Sequence, residues 1–218
     1  MSILKSMKIG TQRISEIVLS LRNFSRLDEA EIKLVDLHEG LDNSLIILAH
    51  RLRGSARNPQ IEIVKNYGSI PKVECYAGQM NQVFMNILSN AIDALQENRQ
   101  QYSGQKTQPI PGRICISTEM LGNTQVRIRI KDNGPGIPDD IIDRLFDPFF
   151  TTKEVGKGTG LGLSISYKIV TEKHQGTLQC HSHIGQGTEF VIQIPVHQSE
   201  MLDYPSSAIS QRRTTAVL

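Results

Sequence analysis

The stretch over residues 131–166 constrains this chain more than any other part of its sequence. It contains an aspartate before a glycine-containing turn, then an aromatic cluster, and then a loop in which glycine recurs at alternate positions: Gly156, Gly158, Gly160 and Gly162. Because glycine has no side chain, backbone N–H groups there can approach an anion closely, and the positive end of a following helix favours the same anion. The pattern therefore predicts a phosphate-binding loop that opens a helix.

The spacing of these glycines excludes two common phosphate loops. The order G-x-G-x-G differs from the Rossmann fingerprint, and a polar, lysine-containing segment precedes it where that fold needs a buried strand. The P-loop is excluded because no G-K-[ST] follows a glycine at the required distance. Glycine clusters also serve as flexible connections, which is the alternative interpretation.

The carboxylate of Asp132 is a second candidate. Val126, Ile128 and Ile130 alternate with basic residues, which predicts a half-buried strand that ends at Asp132. Just before the turn over 133–136, this carboxylate can accept a hydrogen bond from the amino group of a base. The alternative is an aspartate that only begins a turn.

A helix predicted over residues 77–98 provides the third candidate. Its apolar positions recur at helical spacing, and its polar positions fall on the opposite side: Gln79, Gln82, Asn86, Asn90, Asp93 and Glu97. Asparagine is a weak helix former, so two of them four residues apart suggest a role, and a side-chain carbonyl is a suitable oxygen ligand for Mg²⁺. The alternative is a solvated polar face.

Five segments resemble the N, G1, F, G2 and G3 boxes of the two-component sensor histidine kinases. They are N-I-L-S-N-A-I-D-A-L, D-N-G-P-G-I-P, F-D-P-F-F-T-T-K, G-K-G-T-G-L-G-L-S-I-S and G-Q-G-T-E-F. The match covers most of residues 35–196. The resemblance implies a GHKL (HATPase_c) catalytic domain with the Bergerat ATP-binding fold. The order of predicted helices and hairpins independently favours an α+β two-layer sandwich.

The resemblance also implies an activity and its residues. The chain is expected to bind ATP and Mg²⁺ and to transfer the γ-phosphoryl group to a histidine, for relay to a response-regulator aspartate. The implied catalytic residues are Asn86, Asn90 and Lys153, with Asn90 as the Mg²⁺ ligand. The implied nucleotide-binding residues are Asn90, Asp93, Asp132, Gly134, Gly136, Ile137, Phe149, Thr152, Lys157, Gly158, Thr159, Gly160, Leu161, Gly162 and Thr188.

Asn86 bears on which reaction the domain performs. The resemblance extends to ATP-hydrolysing relatives, which have a water-activating glutamate at this position. An amide cannot accept a proton from water, so transfer is favoured over hydrolysis. Two other hypotheses stay open: an ATP-binding regulatory module that does not autophosphorylate, and a superfamily ATPase or a serine kinase of the anti-sigma type.

Residues 1–30 are predicted to form a long helix, because their apolar residues recur with coiled-coil spacing. By resemblance, this is the second helix of the dimerisation and histidine-phosphotransfer hairpin. The family's phosphorylated histidine lies on the first helix, so we expect the acceptor to be absent and the chain not to autophosphorylate alone. His38 precedes an acidic residue, as the acceptor does, but it follows the hairpin helix and is interpreted as a surface histidine. His174, near a helix end, is expected to be a favourable cation.

The sequence predicts an ATP-binding domain over 35–197 and a disordered tail over 198–218. Several local elements are predicted: a capping box at Asp36 and Glu39, strands around a turn at 68–71, hairpins turning at 121–124 and 185–187, a helix over 138–146, and a mobile lid over 147–158.

The amino-acid composition limits the remaining classes of function and location. The 218 residues, 39% of them apolar, can bury one substantial core, and a net charge of +2 favours neither a nucleic-acid nor a membrane surface. Three cysteines without a C-x-x-C pair fit a reducing compartment. No apolar segment approaches the ~20 residues of a membrane helix, so a cytoplasmic location is expected. The expected partners are a receiver domain and the histidine-bearing helix of a kinase, in a homodimer or a parent chain.

Overall fold

A computed structural model describes residues 31–54, 60–102, 111–153 and 160–198. Its elements follow in the order β1 (Lys33–Val35), α1 (Leu37–Leu52), β2 (Glu62–Tyr67), β3 (Val73–Cys75), α2 (Ala77–Tyr102), β4 (Arg113–Leu121), β5 (Gln125–Asp132), α3 (Asp139–Ile142), α4 (Gly162–Lys168), a π-helical turn (Ile169–Lys173), β6 (Thr177–His183) and β7 (Gly187–Pro195). The predicted helix over 1–30, the predicted tail beyond 198 and residues 154–159 of the predicted lid lie outside the described residues.

Five strands form the main sheet, in the order β2, β4, β5, β7, β6. β2 is parallel to β4, and every other neighbouring pair is antiparallel. Both predicted hairpins are confirmed, since β4 pairs with β5 and β6 pairs with β7 across tight connections. Strands β5 and β7 are antiparallel neighbours, so the end of β5 lies beside the start of β7. Asp132 is therefore next to the start of β7.

Helix α2 and one face of the sheet share a hydrophobic core. The strands alternate apolar and polar residues, and α2 contacts α1, α4 and β5 with its apolar stripe. Fully buried side chains of this core are Met80, Phe84, Ile87, Leu88, Ile92, Ile114, Ile116, Ile128, Ile130 and Ile192. Each such side chain contributes about 1.5–3 kcal/mol of transfer free energy. The two-layer sandwich predicted from the sequence is confirmed.

Two local predictions, the helix over 138–146 and the charge of His174, differ from the structure, whereas the strands predicted around 68–71 are present. The strands around 68–71 exist but do not pair with each other: β2 joins the main sheet, and β3 pairs with β1 in a separate two-stranded sheet. The turn between them is tied to the main sheet instead, because the Gly68 N–H donates to the carbonyl oxygen of Thr118 at 2.9 Å. The alternation of apolar and polar residues identifies a strand, but it does not show which other strand it pairs with.

The helix predicted over 138–146 is also shorter. It ends at Ile142, and the next N–H groups, those of Arg144 and Leu145, donate to carbonyls three residues back. Such bonds form tight turns rather than continuing an α-helix. At the start of α1, Asp36 caps the helix by accepting the N–H of His38 at 2.9 Å, which is the Asp36 half of the predicted capping box.

The expectation for His174 is wrong. Its ring is fully buried rather than exposed at a helix end. The Tyr76 N–H donates to Nε2 at 3.1 Å, and Nδ1 lies 2.8 Å from the carbonyl oxygen of Ile169, so Nδ1 carries the proton and donates. Burial lowers the pKa of His174 below its ordinary value of 6.5. The neutral ring connects the start of α2 to the π-helical turn.

This burial predicts acid sensitivity of the fold. As the pH decreases below 6.5, the unfolded chain binds a proton that the buried ring of folded His174 does not yet bind. The free energy of unfolding therefore decreases as the pH decreases. One linked proton gives a slope of at most about 1.4 kcal/mol per pH unit. Denaturant unfolding across this range should show a shallower slope for His174→Gln than for wild type. The same substitution at exposed His181 is the matched control and should keep the wild-type slope; equal slopes for all three proteins would contradict the assignment.

Candidate functional site

A cavity of about 480 Å³ lies between α2, the adjoining ends of β5 and β7, and the start of α4. This volume falls within the roughly 300–1,000 Å³ of small-molecule sites. Of the residues predicted from the sequence, the lining includes Asn86, Asn90, Asp93, Asp132, Gly136, Ile137, Thr152, Lys153, Gly160, Gly162 and Thr188. Gly134 and Leu161 are chain neighbours of this lining. Lys157, Gly158 and Thr159 lie outside the described residues.

Asp132 ends β5 with only 4% of its surface exposed. Its carboxylate accepts the N–H of Gly134 at 2.8 Å, and the backbone N–H of Thr188 lies close enough to favour its ionised form. Burial raises the pKa of Asp132 above its ordinary value of 3.8, and these N–H groups, which favour the ionised form, oppose that shift. The arrangement supplies a fixed, partly desolvated hydrogen-bond acceptor at one end of the cavity.

The turn after Asp132 packs against the hairpin between β6 and β7. The Gly185 N–H donates to the carbonyl oxygen of Pro135 at 2.7 Å, and the Ile137 N–H donates to Ser182 Oγ at 2.8 Å. Gly136 adopts a φ of 77°, and a Cβ there would lie 2.1 Å from the carbonyl oxygen of His183. Only glycine allows this contact between the turn and the hairpin. The part of the cavity lined by Asp132, this turn and Thr188 is called its closed end.

The other end of the cavity is the part lined by Asn90, Asp93 and Lys153, where charged side chains come together. Lys153 Nζ lies 3.2 Å from Asn90 Oδ1 and 2.5 Å from Asp93 Oδ2. The other oxygen of Asp93 is paired with Arg51, which also donates to Ser89 Oγ at 2.7 Å. Asp93 is therefore engaged with two cations. A carbonyl oxygen beside a carboxylate is a donor set that suits a hard divalent cation.

Sequence reasoning missed Arg51 and Ser89. Arg51 lies in the last turn of α1, where a basic residue is common for helix-dipole reasons alone, so it gave no functional signal. It reaches α2 only because α1 and α2 pack together.

Asn86 connects α2 to the first turn of α4. Its amide Nδ2 donates to the carbonyl oxygen of Gly162 at 2.9 Å and to Ser166 Oγ at 3.1 Å. Ser166 Oγ in turn donates to the same carbonyl at 2.8 Å. The side chain thus positions the helix that follows the glycine loop.

A backbone hydrogen bond joins the first part of the predicted lid, over 147–158, to the glycine loop that follows it. The Phe149 N–H donates to the carbonyl oxygen of Gly160 at 2.9 Å. Gly160 has a φ of 65°, and a Cβ there would lie 2.4 Å from the carbonyl carbon of Phe149, so the close approach requires glycine.

One predicted nucleotide contact is not brought to the cavity. Phe149 is 74% exposed and has a left-handed φ of 66°, which turns the chain so that the next residue, Phe150, lines the cavity instead. The sequence pattern cannot show which of the two adjacent phenylalanines faces the cavity, because that depends on the backbone φ angle of Phe149.

Comparison with known proteins identifies the domain. A sequence model of the family described as "Histidine kinase-, DNA gyrase B-, and HSP90-like ATPase" (HATPase_c) matches residues 76–198. The chain belongs to this family. It is 42% identical over 130 residues to sporulation kinase E of Bacillus subtilis and 34% identical over 207 residues to sensor kinase CckA of Brucella abortus. These matches cover 60% and 93% of this chain but 15% and 21% of the two relatives, so the chain spans a small part of their length.

Solved structures agree with this assignment. The catalytic domain of histidine kinase ThkA matches with a TM-score of 0.61 and 30% identity, and the match covers 77% of this chain and 99% of that one. The domain is therefore an ATP-binding catalytic domain of the histidine kinase type. A second ThkA structure, in complex with response regulator protein TrrA, matches with a TM-score of 0.57 and 26% identity over 88% of this chain and 51% of that chain. Within the described residues, no helix is both long and apolar enough to cross a membrane.

The role of Asn86 can be tested through stability. In Asn86→Asp a carboxylate, which cannot donate, would face the carbonyl oxygen of Gly162. We expect the unfolding free energy to fall by about 1–3 kcal/mol, measured by denaturant titration at neutral pH. Asn123→Asp, at an exposed hairpin turn, is the matched control and should be nearly neutral. Wild-type stability of the Asn86 variant would show that the amide is not a required donor.

Proposed function

We propose that this chain is the ATP-binding catalytic portion of a sensor histidine kinase that transfers the γ-phosphoryl group of ATP to a histidine, for relay to a response-regulator aspartate. The observation that supports this most directly is the meeting of Asn90, Asp132 and Gly160 around one cavity. These residues come from three segments that are far apart in sequence. The substrate would be ATP, which fits the cytoplasmic location expected from the sequence.

The closed end of the cavity suits the adenine base. Asp132 offers a hydrogen-bond acceptor to an exocyclic amino group, and Ile137 and Phe190 provide apolar lining for a flat ring. Gly134 fixes one carboxylate oxygen by its N–H. The position of the carboxylate at this end supports the proposed roles of these residues in nucleotide binding.

The other end suits the phosphates and Mg²⁺. Asn90 Oδ1 would ligate the ion, and Asp93 would hold Lys153 close to it. When bound, Mg²⁺ would neutralise charge on the phosphates. Lys153 adds a positive charge at the same place, and Thr152 lines the cavity beside it. Phosphoryl transfer depends mainly on positioning and charge stabilisation, which this set of residues can supply.

The side chain of Asn86 favours phosphoryl transfer to a histidine over hydrolysis of ATP. Its amide nitrogen is already committed to Gly162 and Ser166, and an amide is not a base. The side chain can therefore position α4 but cannot activate a water molecule.

The acceptor histidine is proposed to come from another segment or chain. All six histidines lie in the described residues, and none of them lines the cavity. His38 stacks on Tyr67 with a centroid distance of 4.3 Å, and its Nε2 lies 2.8 Å from Thr118 Oγ1. His174 is buried as described above. A histidine-bearing helix of a kinase and a receiver domain are therefore the proposed partners, the latter supported by the ThkA complex with its response regulator.

The decisive experiment supplies the acceptor separately. The chain is incubated with γ-labelled ATP and Mg²⁺, alone and with a purified helical hairpin that bears a phosphorylatable histidine. We expect acid-labile label on the added hairpin and none on the chain alone. Nucleotide binding without transfer would indicate a regulatory module, steady phosphate release would indicate an ATPase, and label on the chain alone would make one of its own histidines the acceptor.

Two variants separate the two ends of the cavity. Asp132→Asn leaves one acceptor oxygen where the carboxyl group has two, so ATP binding should weaken about tenfold to a hundredfold with or without Mg²⁺. Asn90→Ala should instead abolish Mg²⁺-dependent transfer while leaving most of the Mg²⁺-free affinity. Calorimetric titration measures both affinities, and thermal unfolding controls for folding. Equal losses in the two variants would argue against the separate assignments.

A further inference from the structure

The side chain of Arg51 reaches the other end of the cavity from outside its lining. Arg51 lies in the last turn of α1, and its Nη2 is paired with Asp93 Oδ1. Its Nη1 donates to Ser89 Oγ at 2.7 Å, and its carbonyl oxygen accepts the side-chain amide of Gln96 at 3.2 Å. Ser89 and Asp93 line the cavity, whereas Arg51 is not among the described residues that do so. Arg51 is therefore fixed on α2, behind Asp93.

The pairing of Lys153 with Asp93 has two opposite effects. Asp93 Oδ2 accepts from Lys153 Nζ at 2.5 Å, which places the ammonium group 3.2 Å from Asn90 Oδ1. The negative charge of Asp93 also offsets the positive charge of Lys153 for any anion that approaches the pair. Among the described residues that line the cavity, Lys153 is the only cation. Pairing with Asp93 alone would therefore place Lys153 well but leave little net attraction for phosphates.

Arg51 changes this balance because it occupies the other oxygen of Asp93. Its guanidinium group is always charged at neutral pH, and its planar fork spans Asp93 and Ser89, one turn apart on α2. Arg51, Asp93 and Lys153 together carry one positive charge in excess. The charge of Asp93 is thus balanced by a cation outside the cavity lining, and the charge of Lys153 is left for the cavity.

We propose that Arg51 is a positioning residue for phosphate binding: it balances the charge of Asp93, so that Asp93 can hold Lys153 in place without cancelling the charge that Lys153 presents to the phosphates of ATP. Positive charge held in a fixed position at the phosphates is what phosphoryl transfer requires of the protein. Arg51 acts through Asp93 and does not itself contact the nucleotide. The inference rests on the proposed function, because it requires the phosphates to occupy this end of the cavity.

The test measures the binding of ATP without Mg²⁺, in EDTA and at low ionic strength, by calorimetric titration. In Arg51→Gln, Asp93 and Lys153 neutralise each other, so the dissociation constant should rise about three- to tenfold. In Asp93→Asn, Arg51 and Lys153 lose the anion between them, so the dissociation constant should fall. The double variant Arg51→Gln, Asp93→Asn again has one positive charge in excess and should return to near the wild-type value.

Two further variants separate the charge of Arg51 from its packing. Arg51→Lys retains the charge but not the fork, so most of the wild-type affinity should remain. Arg127→Gln is the matched control. Arg127 is 25% exposed, against 23% for Arg51, and it is paired with Glu119 at 3.0 Å, but it is not among the described residues of the lining. This variant removes the same charge from the chain and should keep the wild-type dissociation constant. Added salt should reduce the effect of Arg51→Gln, because salt screens charge.

The outcomes distinguish this inference from the proposed function. If Asp93→Asn weakens Mg²⁺-free binding as Arg51→Gln does, or if the double variant is not restored, Arg51 and Asp93 only hold α1 against α2 and the inference is wrong. It is also wrong if Arg51→Gln binds ATP like the wild type, or if Arg51→Lys loses as much affinity as Arg51→Gln. Should Arg51→Gln not fold, the sign of the Asp93→Asn effect decides alone. If the wild-type protein binds no ATP, both the inference and the proposed function are wrong.

Discussion

Packing of α2 against the sheet is the constraint on which the rest of the structure depends. Its apolar stripe, including Phe84, Ile87 and Leu88, is fully buried, so the helix can be oriented about its axis in only one way. That orientation turns Asn86, Asn90 and Asp93 toward the cavity. The hydrophobic core therefore sets the positions of the polar groups that are proposed to meet the phosphates and the metal ion.

Charge is distributed so that each end of the cavity suits a different part of a nucleotide. At the closed end, one buried carboxylate is held by backbone N–H groups and has no cation as a described partner. At the other end, Asp93 is neutralised by Arg51 and Lys153 together. These side chains are about a quarter exposed, so the ion pairs serve mainly to place Lys153 beside Asn90 and add little to stability.

Much of this architecture follows from local sequence pattern. Alternation along β4 and β5 and the helical spacing of α2 were sufficient to predict those elements, because each pattern repeats within a single segment. The glycine pattern also predicted a loop that opens a helix, and α4 begins at Gly162, two residues after Gly160 with its positive φ.

Other features depend on contacts between distant segments and could not be predicted. The partner of β3 is β1 rather than β2, Arg51 reaches Asp93 across two helices, and Ser182 contacts a turn 45 residues earlier. His174 was assigned a charge from its place at a helix end, whereas the fold buries it against the start of α2. In each case the residue type was visible, but its environment was set by tertiary packing.

A structure of the protein with a non-hydrolysable ATP analogue and Mg²⁺ would show where the base, the ion and the phosphates bind. We expect the 6-amino group within hydrogen-bonding distance of the Asp132 carboxylate, Mg²⁺ on Asn90 Oδ1, and the phosphates beside residues 160–162. A base bound away from Asp132, or phosphates directed away from the start of α4, would contradict this expectation.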